Sequence, residues 1–261
     1  VSDTPRGAVI TGGGRGIGAA VARRLAGLGA RVVVAARGTG EIEAVATSLR
    51  SGGTEAWAVR CDVTDPADID RLFGAARERL GSVDILVNNA GVVSAAPLRR
   101  VELAEWNRLL AVNATAPFLC TKAVLPGMVE AGWGRIVNVA SVAGLRGARY
   151  IAAYAASKHA LLGLTRCVAA EAARDGVTVN AVCPGYVDTP MTERSIANIV
   201  DKTGLDEEQA LDALLGSTPQ RRLIAPDEVA AAVAFLCGDE ARGINGQAIV
   251  LDGGATGTLP G

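Results

Sequence analysis

Short runs rich in valine, isoleucine and alanine alternate along this chain with longer tracts whose apolar residues recur every three or four positions. The first pattern suits a strand buried on both faces, the second a helix with one apolar side. The rhythm predicts strands at residues 8–10, 31–35, 56–60, 83–88, 135–140, 178–183 and 247–251. Helices are predicted after the first glycine-rich turn and at residues 41–50, 66–80, 101–128 and 154–173. A last one opens at Pro226, where a proline followed by Asp227 and Glu228 starts an alanine-rich tract. Strands separated by helices need crossover connections, so they run parallel. The expected fold is α/β, a seven-stranded parallel sheet with helices on both faces.

Residues 188–219 break this rhythm. Their mixed helical pattern lies between the sixth strand and the last helix, and reads either as an insertion that covers a substrate or as a surface excursion. No low-complexity linker and no repeat divides residues 1–261, so one domain is expected. Composition then removes several functions. Lys and Arg number 26 against 27 Asp and Glu, which gives no general attraction to nucleic acid or to an anionic membrane. Three each of Trp, Tyr and Phe offer no obvious row for stacking bases. Cys61, Cys120, Cys167, Cys183 and Cys237 are too scattered for a zinc site or a disulfide framework and read as reduced core residues, so no metal is expected. The opening Val1-Ser2-Asp3-Thr4-Pro5-Arg6 lacks the order of a signal peptide, and no later apolar run of membrane-spanning length is free of polar or charged interruption. A cytoplasmic location is expected.

Chemistry concentrates in three places. Thr11-Gly12-Gly13-Gly14-Arg15-Gly16-Ile17-Gly18 joins the first strand to a helix, where Gly12, Gly16 and Gly18 permit a sharp turn and close approach of backbone to a pyrophosphate. Asp62 follows the third strand and Asn88-Asn89-Ala90-Gly91 follows the fourth, both at the sheet ends where a doubly wound Rossmann fold opens its dinucleotide crevice. In Tyr154-Ala155-Ala156-Ser157-Lys158 the spacing puts Tyr154 and Lys158 on one helical face, so an ammonium can stabilise a tyrosinate. Ser141, just past the fifth strand, can hydrogen-bond a substrate oxygen while Tyr154 transfers the proton. His159, the sole histidine, points away from that face, which leaves a Ser-His-Asp hydrolase without its base.

These marks, with Asn113 and Pro184-Gly185, occur in order over essentially the whole chain, which resembles the short-chain dehydrogenase/reductase family. The resemblance implies that Tyr154 is the acid in reduction and the base in oxidation, that Ser141 orients the carbonyl, and that Lys158 binds nicotinamide ribose hydroxyls while lowering the tyrosine pKa. It implies that Asn113 holds a water linking the lysine to solvent. A mid-helix asparagine also bonds readily to neighbouring backbone. The cofactor's pyrophosphate is expected at Gly12, Arg15, Gly16, Ile17 and Gly18, and its adenine at Asp62 and Val63. Its nicotinamide side is expected at Asn89, Ala90, Gly91, Pro184, Gly185, Val187 and Thr189, with Tyr154 and Lys158 also in contact.

After the second strand stands Ala36-Arg37, where an NAD enzyme of this fold carries an acidic residue for the ribose diol. Arg37 suits a 2'-phosphate and Arg15 lends a second positive charge, so NADPH/NADP+ is the expected cofactor. Ala36-Arg37-Gly38, the Tyr154 segment and Ala181-Val182-Cys183-Pro184-Gly185-Tyr186-Val187-Asp188-Thr189-Pro190-Met191 resemble aromatic-polyketide ketoreductases. Gly91-Val92-Val93-Ser94-Ala95-Ala96-Pro97 departs from the Pro-Gly-Gly loop of many of them, which leaves substrate and product handedness open. The expected substrate is a small-molecule ketone or alcohol. A 3-oxoacyl-thioester reductase and a non-catalytic dinucleotide-binding scaffold are the alternatives. The family resemblance also implies a homotetramer.

Overall fold

Side chains on successive positions of the central strands go alternately to two apolar layers, which is why those strands read as nearly continuous apolar runs. The computed structural model describes residues 5–216 and 218–257; the start of the opening segment (1–4), Ser217 of the 188–219 tract and residues 258–261 lie outside the described residues. The strands are β1 (Gly7–Thr11), β2 (Arg31–Ala36), β3 (Ala56–Arg60), β4 (Ile85–Asn88), β5 (Gly134–Val139), β6 (Val177–Pro184) and β7 (Ala248–Leu251). All pair in parallel in the order β3-β2-β1-β4-β5-β6-β7. The order reverses between β1 and β4, the point at which an open α/β sheet forms a crevice beyond its carboxyl ends.

Among the described residues the α-helices are α1 (Gly16–Gly27), α2 (Thr39–Ser51), α3 (Pro66–Leu80), α4 (Leu103–Leu110), α5 (Ala116–Glu130), α6 (Ala152–Glu171), α7 (Pro190–Thr203), α8 (Glu207–Leu215) and α9 (Pro226–Cys237). Ile10, Val32, Val34 and Val87 pack with Val21 and Leu25 of α1, Ile42 of α2 and Val233 of α9. Their strand neighbours Val9, Val33 and Leu86 turn to the opposite face, against Leu72 and Phe73 of α3 and Cys120 and Val124 of α5. Each large aliphatic or aromatic side chain so enclosed contributes roughly 1.5–3 kcal/mol.

The observed elements depart from the predicted ones at two places. The helix expected at 101–128 begins at Leu103 and passes through a π-helical turn, Ala111–Thr115, directly into α5, whose Pro117 cannot donate to the preceding turn. β4 begins at Ile85 because Asp84 turns its carboxylate onto the Gly7 N–H at 2.7 Å. Residues 103–130 are, by length and apolarity alone, sufficient to cross a membrane. Within this fold Asn113 is fully buried in that tract, α5 packs on the sheet, and Lys122 lies on the surface.

A buried polar ladder ties α6 to the sheet. Asn88 and Asn138 are opposed in the β4–β5 register, and Asn88 Nδ2 donates to Asn138 Oδ1 at 2.9 Å. Asn138 Nδ2 donates in turn to Thr165 Oγ1 of α6 at 2.9 Å, and the Thr165 hydroxyl donates to the Leu161 carbonyl at 2.8 Å. Inside an apolar layer such bonds fix the axial position of a helix more sharply than packing alone.

Candidate active site

The turn after β1 is held by Thr11, whose Oγ1 accepts the N–H groups of Asn89 and Ala90, each at 3.1 Å. Asn89 replies through Nδ2, donating to the carbonyls of Thr11 and Gly12 at 3.0 Å each. The glycines here are sterically required. Gly12 and Gly16 adopt φ values of 65° and 51°, and a Cβ on Gly18 would stand 2.3 Å from the Gly12 carbonyl oxygen. A Cβ on Gly16 would meet the Thr189 methyl at 3.0 Å, which places Thr189 at the rim of the same turn. No side chain caps α1 and no acidic residue lies in its first turn. A bare helix N-terminus beneath a side-chain-free turn is a cradle for an anionic phosphate, so these residues fit a dinucleotide.

At the β2 and β3 ends, Arg37 is largely exposed and its guanidinium stands 3.9 Å from the Asp62 carboxylate. Asp62 is fixed by the Thr64 N–H and hydroxyl at 3.0 and 2.7 Å, and that hydrogen bonding holds its carboxyl below the usual range. The Val63 side chain belongs to the core, which leaves its backbone to face a ligand. Arg15 is paired with Glu41 of α2 at 3.0 Å. At the other side, Gly185 donates its N–H to the Leu251 carbonyl at 2.8 Å, and buried Val187 bridges to Ile224, so the Pro184-Gly185 turn is anchored to β7 and to the segment before α9.

The candidate reactive side chains come from the turn after β5, the π-helical turn and α6. Ser141 accepts the Ala143 N–H at 3.1 Å, which leaves its own proton available to donate toward the Tyr154 phenol beside it. Burial pushes the Tyr154 phenol up, and the Ser141 hydrogen bond pulls it back. Lys158 is buried, its Nζ 5.9 Å from the centre of the Tyr154 ring and donating to the Val139 carbonyl at 2.9 Å. Desolvation takes its pKa down to about 8. The pull toward phenol ionisation visible in the structure therefore comes from Ser141, with Lys158 turned onto the end of β5.

Asn113 meets this cluster. A Cβ on Gly91 would lie 3.4 Å from Asn113 Oδ1 and 3.6 Å from Lys158 Nζ, so the three converge. Asn113 does not bond to neighbouring backbone: Oδ1 accepts the Val92 N–H at 3.0 Å, while Nδ2 donates to the Val92 carbonyl and to Ser157 Oγ. Its amide protons are thereby committed, and one Oδ1 lone pair remains. Sequence reasoning gave no role to Thr11, to Ser157, whose hydroxyl links Asn113 to the Tyr154 carbonyl, or to Glu41. Small polar residues inside a motif are the available signal for the first two; nothing marked Glu41. Of the five cysteines expected in the core, Cys167 is exposed, while Cys183 is buried beside Ser141 and Lys158, its thiol lifted by desolvation to about 11. His159 is exposed on the far side of α6, its Nδ1 2.9 Å from the Ala155 carbonyl oxygen.

A family model described as short chain dehydrogenase matches residues 6–199. A D-beta-hydroxybutyrate dehydrogenase of Rhizobium meliloti (strain 1021) is 38% identical over 252 residues, 95% of this chain and 98% of the relative. The crystal structure of a variant actinorhodin polyketide ketoreductase with NADPH superposes with a TM-score of 0.94 at 40% identity, covering 99% of each chain. That of a levodione reductase gives 0.92 at 35% identity over 98% of this chain and 99% of the other. Likeness of this extent in sequence and fold, added to the cradle after β1 and the residues gathered at Tyr154, means that the chain belongs to the short-chain dehydrogenase family.

Proposed function

We propose that this chain is an NADPH-dependent ketoreductase acting on a polyketide-like ketone. The observation that carries the reading is one crevice shared by a side-chain-free anion cradle and the Ser141, Tyr154 and Lys158 cluster. The likeness to the actinorhodin ketoreductase supports the substrate class, and Arg37 with Arg15 supports the phosphorylated cofactor. When bound, NADPH supplies the hydride that adds to the ketone carbon. Ser141 and Tyr154 hydrogen-bond the ketone oxygen, and the Tyr154 hydroxyl gives it the proton; in the oxidative direction Tyr154 takes that proton back. Lys158 serves the ribose hydroxyls, and Asn113 holds the π-helical turn against Gly91 and Val92.

Residues 188–219 cover the substrate in this reading. Thr189 borders the glycine turn, and α7 buries only Thr192, whereas α8 is anchored through Ala210, Leu214 and Leu215, so α7 is the part that would meet a ligand. The chain assembles as a homotetramer through the α4–α5 tract, which exposes Leu103, Phe118 and Val129. A reducing, cytoplasmic setting agrees with five free cysteines.

A matched NADPH turnover screen of aromatic polyketide ketones, simple ketones and 3-oxoacyl thioesters tests the reading. Polyketide ketones are expected to turn over best. Strong preference for thioesters would assign the thioester reduction instead, and cofactor binding with no turnover of any carbonyl would assign a scaffold. A monomer mass in solution would defeat the tetramer.

A further inference from the structure

Two cationic groups face the end of β2, and each already has a carboxylate. Arg37 stands 3.9 Å from Asp62 Oδ2, while the other oxygen, Oδ1, accepts both bonds from Thr64. Arg15 is held by Glu41 Oε1 at 3.0 Å, with both side chains about half exposed. The second oxygen of Glu41 reaches back over its own helix start, so that a Cβ on Gly38 would lie 3.2 Å from Oε2. Gly38 caps α2 without any side-chain hydrogen bond. The Glu41 carboxylate thus fills the space between the Arg15 guanidinium and the α2 N-terminus, next to Arg37, where the geometry and the local charge favour an anion.

We infer that Glu41 is a resident anion which the cofactor's 2'-phosphate must displace, and that it is a specificity-determining residue that limits affinity for NADPH without affecting NADH. The inference rests on the NADPH reading given above. Two anions cannot share one guanidinium and one helix end in so small a space without repulsion, so phosphate entry frees Arg15 from Glu41 and swings that carboxylate into solvent. The exchange is open because the Arg15–Glu41 pair is solvent-exposed and weak. NADH brings no phosphate to this place and leaves the pair intact.

The test is direct titration of NADPH and NADH into the folded protein by calorimetry at fixed ionic strength, for wild type, Glu41→Gln, Arg15→Ala and the double variant. Glu41→Gln is expected to tighten NADPH by roughly 3- to 10-fold, the size of an exposed ion pair plus relief of repulsion, and to change NADH by less than about 2-fold. In the Arg15→Ala background most of that gain should vanish, since the contested guanidinium is gone. Unchanged or weaker NADPH binding by a folded Glu41→Gln protein overturns the inference while leaving the cofactor reading intact. Wild type that prefers NADH overturns the cofactor reading itself, and the inference with it. Equal tightening of both cofactors removes the 2'-phosphate from the explanation and overturns the inference alone.

Discussion

Tyr154 is the side chain whose removal separates chemistry from architecture. Its ring packs in the cleft and its hydroxyl meets Ser141, whose other bond, to the Ala143 N–H, belongs to the turn after β5. Tyr154→Phe deletes the hydroxyl and keeps the ring, so NADPH affinity should stay within about 2-fold and the fold should be unchanged. Turnover should fall by roughly 100-fold or more through loss of proton transfer. Steady-state kinetics beside cofactor titration check this; near-normal turnover in a folded variant would remove Tyr154 from the mechanism. At this scale the sequence exposes types and spacings but not commitments. A phenol and an amine one turn apart coincide often by chance, so Tyr154, Lys158 and Ser141 stand out as candidates only beside the glycine turn and the Asn88–Gly91 segment, in the order the family resemblance gives them. What could not be read is that Lys158 Nζ turns to Val139 and that Arg15 is held by Glu41, since both depend on partners 19 and 26 residues away.

Helix α6 delivers Tyr154 and Lys158, so its axial position matters more than its propensity. The ladder from Asn88 through Asn138 to Thr165 sets that position from inside an apolar layer. Asn88 Oδ1 is already buried with no partner among the described residues, so the ladder has little slack. Asn138→Ala would leave the Asn88 amide only its long 3.4 Å bond to Thr121 Oγ1 and take from Thr165 Oγ1 its donor, at a cost of about 1–3 kcal/mol in stability. Urea unfolding followed by circular dichroism measures it, and a change below about 0.5 kcal/mol would show the ladder to be dispensable. Strands were readable at this scale because both faces of each are apolar, which leaves little ambiguity. The π-helical turn at Ala111–Thr115 escaped notice because its cause is tertiary: Asn113 bonds to Val92 and Ser157, neither of them a helical neighbour in sequence.

The molecule as a whole stores four thiols in its two apolar layers and beside the site, and they make its stability fall in alkali. Desolvation raises Cys61 and Cys183 to about 11 and Cys120 and Cys237 to about 12, from an ordinary 9.0. A group whose pKa is raised by folding lends stability that is complete below its unfolded pKa and is lost as pH climbs toward the folded value. Above pH 9 the unfolded chain gives up these protons while the native chain keeps them, so each thiol costs roughly 1.4 kcal/mol by pH 10. Lys158 opposes this. Burial lowers it to about 8, so it is a liability while protonated in both states and becomes less of one as pH rises toward 10.5, returning roughly 2–3 kcal/mol by pH 10. Four thiols together outweigh one lysine, and the net loss between pH 7.5 and 10 is on the order of 3 kcal/mol. Urea midpoints of the cofactor-free protein under reducing conditions at the two pH values should show that drop. Cys120→Ala should lower stability at both pH values through the cavity it leaves, yet make the alkaline fall shallower by roughly 1 kcal/mol. Stability that rises steadily to pH 10 would mean that Lys158 outweighs the thiols and that the apolar layers admit enough water to ionise them in the native state.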